Sequence, residues 1–327
     1  MKTYLGIDFG GTKLLIGEVD AAGTVLRTKC YGTGFTRQAD AVPALLHAVR
    51  DYRDTVGFAG DASAAGVGIV GIVDNARGEW ISIAHEPEGP PVPLARMVSQ
   101  ELGLPCAIDN DVRSSTTAEL LLGQGRYSRD FIYLNAGTGL AAGFVVDGRI
   151  LRGAHVNAGE IGHMVVDLSD TSPCCCGRAG CVENVVSGIG FTRQARLRGM
   201  EDLMTQAGGR ADVRLLFERA EKGDAASQEI IECGARALAC VMMNLVRVTD
   251  PDTIIYGGGI LGDERFLHRV ERHLEPGTMR GVTRGLVASS FQPRYAGLLG
   301  AASLGMVRES GAACAPVHKR DEGREAL

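Results

Sequence analysis

Residues 4–19, YLGIDFGGTKLLIGEV, decide the fold. Apolar residues alternate with others up to Asp8, a pair of glycines follows, and a second apolar run extends from Leu14 to Val19. Period-two alternation on both sides of a glycine turn reads as two strands of a hairpin. The turn DAAG and a third strand from Thr24 complete the unit. The same plan recurs from Phe131: strand DFIYLN, turn AGTG, strand LAAGFVV, hairpin turn DG and strand RILRG. A repeated supersecondary unit predicts two structurally related lobes.

The intervening chain supplies the other layers. SAAGVGIVGIVD (63–74) reads as one buried strand, PLARMVSQELG (93–103) as a helix, and CAIDND (106–111) as a strand running into a loop. VRSSTTAELLLGQG (112–125) is a helix ended by glycine. Ile231, Ala235, Leu238, Met242 and Leu245 recur at helical spacing, and that helix must stop before Pro251. DTIIYGGGILGD (252–263) is then a strand opening into a triple-glycine turn. Strands alternating with helices give an α/β protein. The expected lobes are residues 1–118, completed by a helix at 296–309, and residues 119–295. The tail 311–327 has no apolar period and is expected to be disordered.

Composition narrows the function. The 327 residues are 45% hydrophobic and 22% charged, an ordinary globular balance, and the net charge is −5. That charge argues against a nucleic-acid backbone as partner. No apolar run approaches the roughly 20 residues that span a bilayer, and the N-terminus lacks the apolar core of a signal peptide. A cytoplasmic location is therefore expected, where nine cysteines are free thiols or metal ligands rather than disulfides.

Three glycine turns end strands: DFGGTK (8–13), NAGTG (135–139) and GGG (257–259). Backbone N–H groups at such turns can converge on phosphate, while Thr12 adds a hydroxyl and Lys13 a charge. Asp8, at a strand end, suits a magnesium ion held through water. The second unit has Asn135 where the first has Asp8, so metal chemistry belongs to the first lobe. Neither the Walker pattern nor the dinucleotide fingerprint is present. Taken alone, the first turn reads better as a tight hairpin; three glycine turns on a duplicated scaffold favour phosphate.

Phosphoryl transfer to an alcohol needs a base for the hydroxyl proton. Asp111 is the candidate and Asn110 its positioning partner, although an Asp at that point also reads as a helix cap. Asp109 is the rival carboxylate, and strand alternation turns it away from Asn110. In GEIGHMVVDLSDTSPCCCGRAGCVEN (159–184), Cys174, Cys176 and Cys181 have the spacing C-x-C-G-x-x-G-C. Gly177 and Gly180 let the chain fold back, and His163 supplies a fourth ligand for tetrahedral Zn2+. Cys175 points elsewhere or competes. The other ring nitrogen of His163, with Glu160 and Glu183, can then read the hydroxyls of a polyhydroxylated ring.

LGIDFGGTK, IDNDVRSSTTAE, NAGTGLAAG, the joined Glu-His-Cys stretch and IIYGGG together resemble the ROK family of sugar kinases, repressors and open reading frames, from about Leu5 to about Arg308. The resemblance implies an actin- and hexokinase-like (ribonuclease H-like) fold whose lobes close on ATP and a sugar. It implies Asp111 as base, and Gly10, Gly11, Thr12, Lys13, Gly137, Thr138, Gly139, Gly258 and Gly259 as nucleotide contacts, with Asp8 toward Mg2+. Gly71, His85, Asn110, Glu160, His163 and Glu183 would hold the sugar, and a homodimer or homotetramer is expected. Repressor members carry a winged helix before the first turn; only about seven residues precede it here, so the kinase branch is expected. Glucose-type members commonly show G-x-P-G-x-V-D, and this chain has Val70 at the proline position and His85 in place of a sugar-site Asn. These departures leave amino sugars, mannose-type sugars and cyclitols open. A non-catalytic sugar sensor and an ATPase without a small acceptor are the rival readings.

Overall fold

The computed structural model describes residues 1–11, 13–34, 37–83, 89–206 and 208–311. Thr12, His85 and the tail beyond Gly311 lie outside them. The first lobe is built on β1 (Lys2–Phe9), β2 (Lys13–Asp20), β3 (Val25–Gly32), β4 (Asp61–Ile69), the hairpin β5 (Ile72–Asp74) and β6 (Glu79–Ser82), and β7 (Cys106–Asn110). Its helices are α1 (Gln38–Thr55), α2 (Leu94–Leu102) and α3 (Asp111–Leu121). The second has β8 (Phe131–Ala136), β9 (Leu140–Val146), β10 (Arg149–Ile150), α4 (Gly188–Leu197), α5 (Val213–Glu221) and α6 (Ala225–Thr249). There follow β11 (Thr253–Gly257), α7 (Glu264–Glu271), α8 (Pro276–Met279), β12 (Leu286–Ala288) and α9 (Ala296–Ser310).

The repeat seen in the sequence is a repeat of sheets. One sheet has the order β3-β2-β1-β4-β7 and the other β10-β9-β8-β11-β12. In each, three antiparallel strands are followed by two parallel additions. The parallel pairs require crossovers, and α1 and α6 lie within them. Burial runs nearly unbroken along β1 and β2 rather than alternating, as strands covered on both faces must show.

Two large cores result. Phe9, Tyr52 and Trp80 are fully buried in the first lobe. In the second, Phe217 and Phe266 stack with centroids 5.6 Å apart, and Phe191 meets both edge-on. Helix α9 returns to the first sheet and packs Leu298, Leu299 and Ala302 against Tyr4, Leu15 and Val19. The approach is so close that a Cβ on Gly66 would lie 1.9 Å from the Ala301 carbonyl oxygen. Only glycine fits there.

Local readings need correction in three places. The run 63–74 is not one strand: it breaks at Gly71, whose φ of 100° ends β4 and starts a separate hairpin. No loop follows β7, because Asn110 passes directly into α3. The expected strand at RILRG is only Arg149–Ile150. The sequence reading also leaves 38–55 unassigned, where α1 forms with Ala41, Leu45, Ala48, Val49 and Tyr52 buried at helical spacing.

Candidate active site and metal loop

Asp8 and Asn135 hold the penultimate positions of β1 and β8, the corresponding strands of the two sheets. Both line one cavity of about 420 Å3, together with Asp111, Ser115 and the turn Gly257–Gly259. Strand ends from both lobes and the third glycine turn thus meet where the sequence places phosphate chemistry. Among the described residues, Gly10, Gly11, Lys13, Gly137, Thr138 and Gly139 do not line this cavity. The first turn is closed by the Gly10 N–H donating to the Lys13 carbonyl at 3.0 Å. In the second, the Gly137 carbonyl accepts from Gly188 N–H at 2.8 Å, which ties the turn to the start of α4. Arg210, which the sequence reading passed over, donates to the Thr138 hydroxyl at 3.1 Å.

The three residues 109–111 have three different environments. Asp109 is fully buried and paired with Arg113 at 2.7 Å and Arg152 at 2.9 Å. Two guanidinium partners hold it, so it is no candidate base. Asn110, rather than Asp111, is the main helix cap: its side-chain oxygen accepts from Val112 and Arg113 N–H, and its amide donates to the Gly71 carbonyl at 3.2 Å. That commits the side-chain oxygen the sequence reading reserved for substrate. The Asp111 carboxylate accepts from its neighbour Val112 N–H at 2.9 Å.

Burial raises the Asp111 carboxyl to about 6; the charge of Glu160 adds to the rise, while the Val112 N–H and Arg113 oppose it. Burial likewise raises Asp8 to about 6, with the Asp111 charge adding and Lys13 opposing. Two carboxylates in one low-dielectric cavity resist ionising together, an arrangement that a divalent cation would relieve.

In the cysteine loop the expected ligands converge. Nδ1 or Nε2 of His163 and the sulfurs of Cys174, Cys176 and Cys181 all lie within 4.8 Å of one another. Cys174 Sγ is 3.4 Å from His163 Nδ1, and Cys176 Sγ is 3.6 Å from Cys181 Sγ. Ligands about 2.3 Å from a tetrahedral zinc stand roughly 3.7 Å apart, so these separations fit the ion and exclude a disulfide. Gly180, at φ 71°, passes where a Cβ would lie 2.0 Å from the Asp167 carbonyl oxygen. Cys175 is exposed, outside the four-ligand set.

The same imidazole reaches toward the proposed sugar ligands. A donor atom of His163, Cys175 Sγ and a Glu183 oxygen also lie within 4.8 Å of one another. Glu183, however, is partly committed: its Oε2 accepts from the Leu140 N–H at 2.9 Å, just beyond the second glycine turn. Glu160 is exposed and lines a cavity of about 660 Å3 with Asn157, His163, Cys176 and Arg178. Asp111 and His163 therefore open onto different cavities, and Glu160, which lines the His163 cavity, acts on Asp111 through its charge. Gly71 touches the site through its carbonyl, which accepts from Asn110.

Comparisons with known proteins bear on the fold and the family. A model of the ROK family matches residues 4–307. The N-acetylmannosamine kinase of Escherichia coli (strain 55989 / EAEC) is 30% identical over 311 residues, covering 92% of this chain and 98% of that protein. The glucokinase of Streptomyces coelicolor is 30% identical over 325 residues, covering 93% and 98%. Among solved structures, a ROK family glucokinase from Streptomyces griseus in complex with glucose and AMPPNP superposes with a TM-score of 0.75. It is 28% identical, with 93% of this chain and 99% of that one covered.

Proposed function

Since the chain belongs to the ROK family, we propose that it is a sugar kinase that transfers the γ-phosphoryl group of ATP to a primary hydroxyl of a hexose or hexose-like polyol, with Asp111 as general base. The observation that carries this reading is the placement of Asp111: a carboxylate raised to about 6, in one cavity with Asp8 and the Gly257–Gly259 turn. Such a group is ionised at neutral pH yet remains basic enough to take a proton in the transition state. As the acceptor oxygen bonds to the γ-phosphorus, its proton passes to Asp111, the bond from phosphorus to the β–γ bridging oxygen breaks, and ADP leaves. Asp109, locked by two arginines, orients the end of β7 without taking part.

Asp8 is the residue that would hold Mg2+, which when bound neutralises charge on the transferring phosphates. His163, Cys174, Cys176 and Cys181 would hold Zn2+, which fixes the orientation of the imidazole. Glu160, His163 and Glu183 then face the sugar hydroxyls, with Glu183 using the oxygen left free by Leu140. The glycine turns at 10–11 and 137–139 and Thr12 cradle the phosphates. Val70, where glucose-type members have proline, leaves amino sugars, mannose-type sugars and cyclitols open as acceptors. The family resemblance supports a dimer or tetramer, which sedimentation would measure.

Release of ADP with a panel of hexoses, N-acetylated hexosamines and cyclitols tests the class and finds the substrate. Asp111→Asn should then lower kcat by about 100- to 10,000-fold with nucleotide affinity preserved. Turnover within twofold of the parent would remove Asp111 from the mechanism. ADP release that no acceptor stimulates would instead favour a sugar-independent ATPase.

A further inference from the structure

A second cavity, of about 590 Å3, lies away from the cleft and is built by both lobes. The first lobe contributes the turn 75–78, α2, the start of β7 and the end of α9; the second contributes Ile150 and Arg152. Its volume is in the range of small-molecule sites, about 300–1,000 Å3. Four arginines line it, Arg77, Arg96, Arg152 and Arg308, and no carboxylate among the described residues does.

Two of these cations have no counter-ion in place among the described residues, and the other two are paired on one side only. Arg77 reaches Asp74 only at 3.6 Å, and its side chain is 75% exposed. Arg96 and Arg308 are exposed and have no hydrogen-bond or ion-pair partner among the described residues. Arg152 is bound at one nitrogen to Asp109, while its Nε is buried with no hydrogen-bond partner. Like charges around a concavity concentrate anions, and planar guanidinium forks match phosphate oxygens.

We propose that this cavity binds a small phosphate monoester, a dianionic metabolite, and that its occupancy is felt in the catalytic cleft. The connection is short. Arg152 Nη2 donates to Asp109 Oδ2 at 2.9 Å, Asp109 Oδ1 accepts from the Asn110 N–H at 2.8 Å, and Asp111 is the next residue. Arg152 belongs to the second lobe, and Arg96 and Arg308 to the first. A ligand bridging them biases how the lobes sit, and by linkage the sugar and the anion change each other's affinity by the same factor.

Calorimetry on the full chain, with ADP and Mg2+ in excess to fill the nucleotide cleft, tests the site directly. Glycerol 3-phosphate is the probe and glycerol the neutral control. One equivalent should bind per chain, and the double variant Arg96→Ala/Arg308→Ala should bind it at least about tenfold more weakly. Equal affinity in the variant, or no binding to the parent, overturns the site. The coupling rests on the kinase reading and is measured apart: saturating probe should shift the sugar KM at least threefold in the parent and not in the double variant. An unmoved KM removes the coupling. A chain that turns over no sugar refutes the kinase reading while leaving the calorimetric result to stand alone.

Discussion

The residues 109–111 carry three consecutive polar side chains that the sequence distinguishes only in part. Alternation along a strand correctly turned Asp109 away, but its partners were hidden: Arg113 is four residues on, and Arg152 comes from the other lobe. Asn110 was read as a substrate contact because its amide offers both a donor and an acceptor beside the candidate base, while capping stood as the rival reading of Asp111. A cap is chosen by where the strand stops, and that was misjudged by a loop that does not exist. Two pH effects follow at this scale. With Asp111 raised to about 6, kcat/KM should fall on the acid side of that value; a rate flat down to pH 5 would contradict its role as base. Asp8, raised from 3.8 to about 6, is protonated in both folded and unfolded chains below about pH 4, so it has no cost there. Between about pH 4 and 6 the unfolded chain releases the proton first, and stability is lost as pH rises. Asp8→Asn should therefore stabilise the metal-free protein by up to about 3 kcal/mol at pH 8 and little at pH 4, measured by urea unfolding in chelator.

At the scale of elements, the strand–turn–strand units were legible because period-two alternation and paired glycines are local signals. The break at Gly71 was not, since a positive φ in an apolar run leaves no compositional trace. Helix α1 escaped because it contains Pro43 and its stripe is largely alanine and valine. The cysteine loop was the most legible of all: sulfur spacing and two glycines give a turn that admits few other shapes. Its test is metal content. The purified protein should hold about one zinc per chain, and Cys181→Ser or a strong chelator should lower the melting temperature and the sugar affinity together. Normal stability and affinity in the metal-free protein would refute the loop's assigned part.

Across the whole molecule, the doubled sheet was visible as a doubled motif, whereas the contacts that hold the halves together were not. Asp109 is the clearest of these: its partner Arg113, only 3% exposed, also donates to the Val156 carbonyl in the second lobe at 3.0 Å. Asp109→Ala would leave that guanidinium buried without its counter-charge, at a cost of about 3–5 kcal/mol read by denaturant titration. A loss below about 1 kcal/mol would show that water reaches the cluster.

The matching strand orders of the two sheets have a consequence for direction. A scaffold of two like halves offers a ligand two nearly mirrored ways in, and nothing in the backbone plan alone prefers either. The tie is broken, among other places, at a pair of equivalent positions, anionic Asp8 on one side and neutral Asn135 on the other. A single group's difference, carboxylate against carboxamide, gives the molecule a head and a tail.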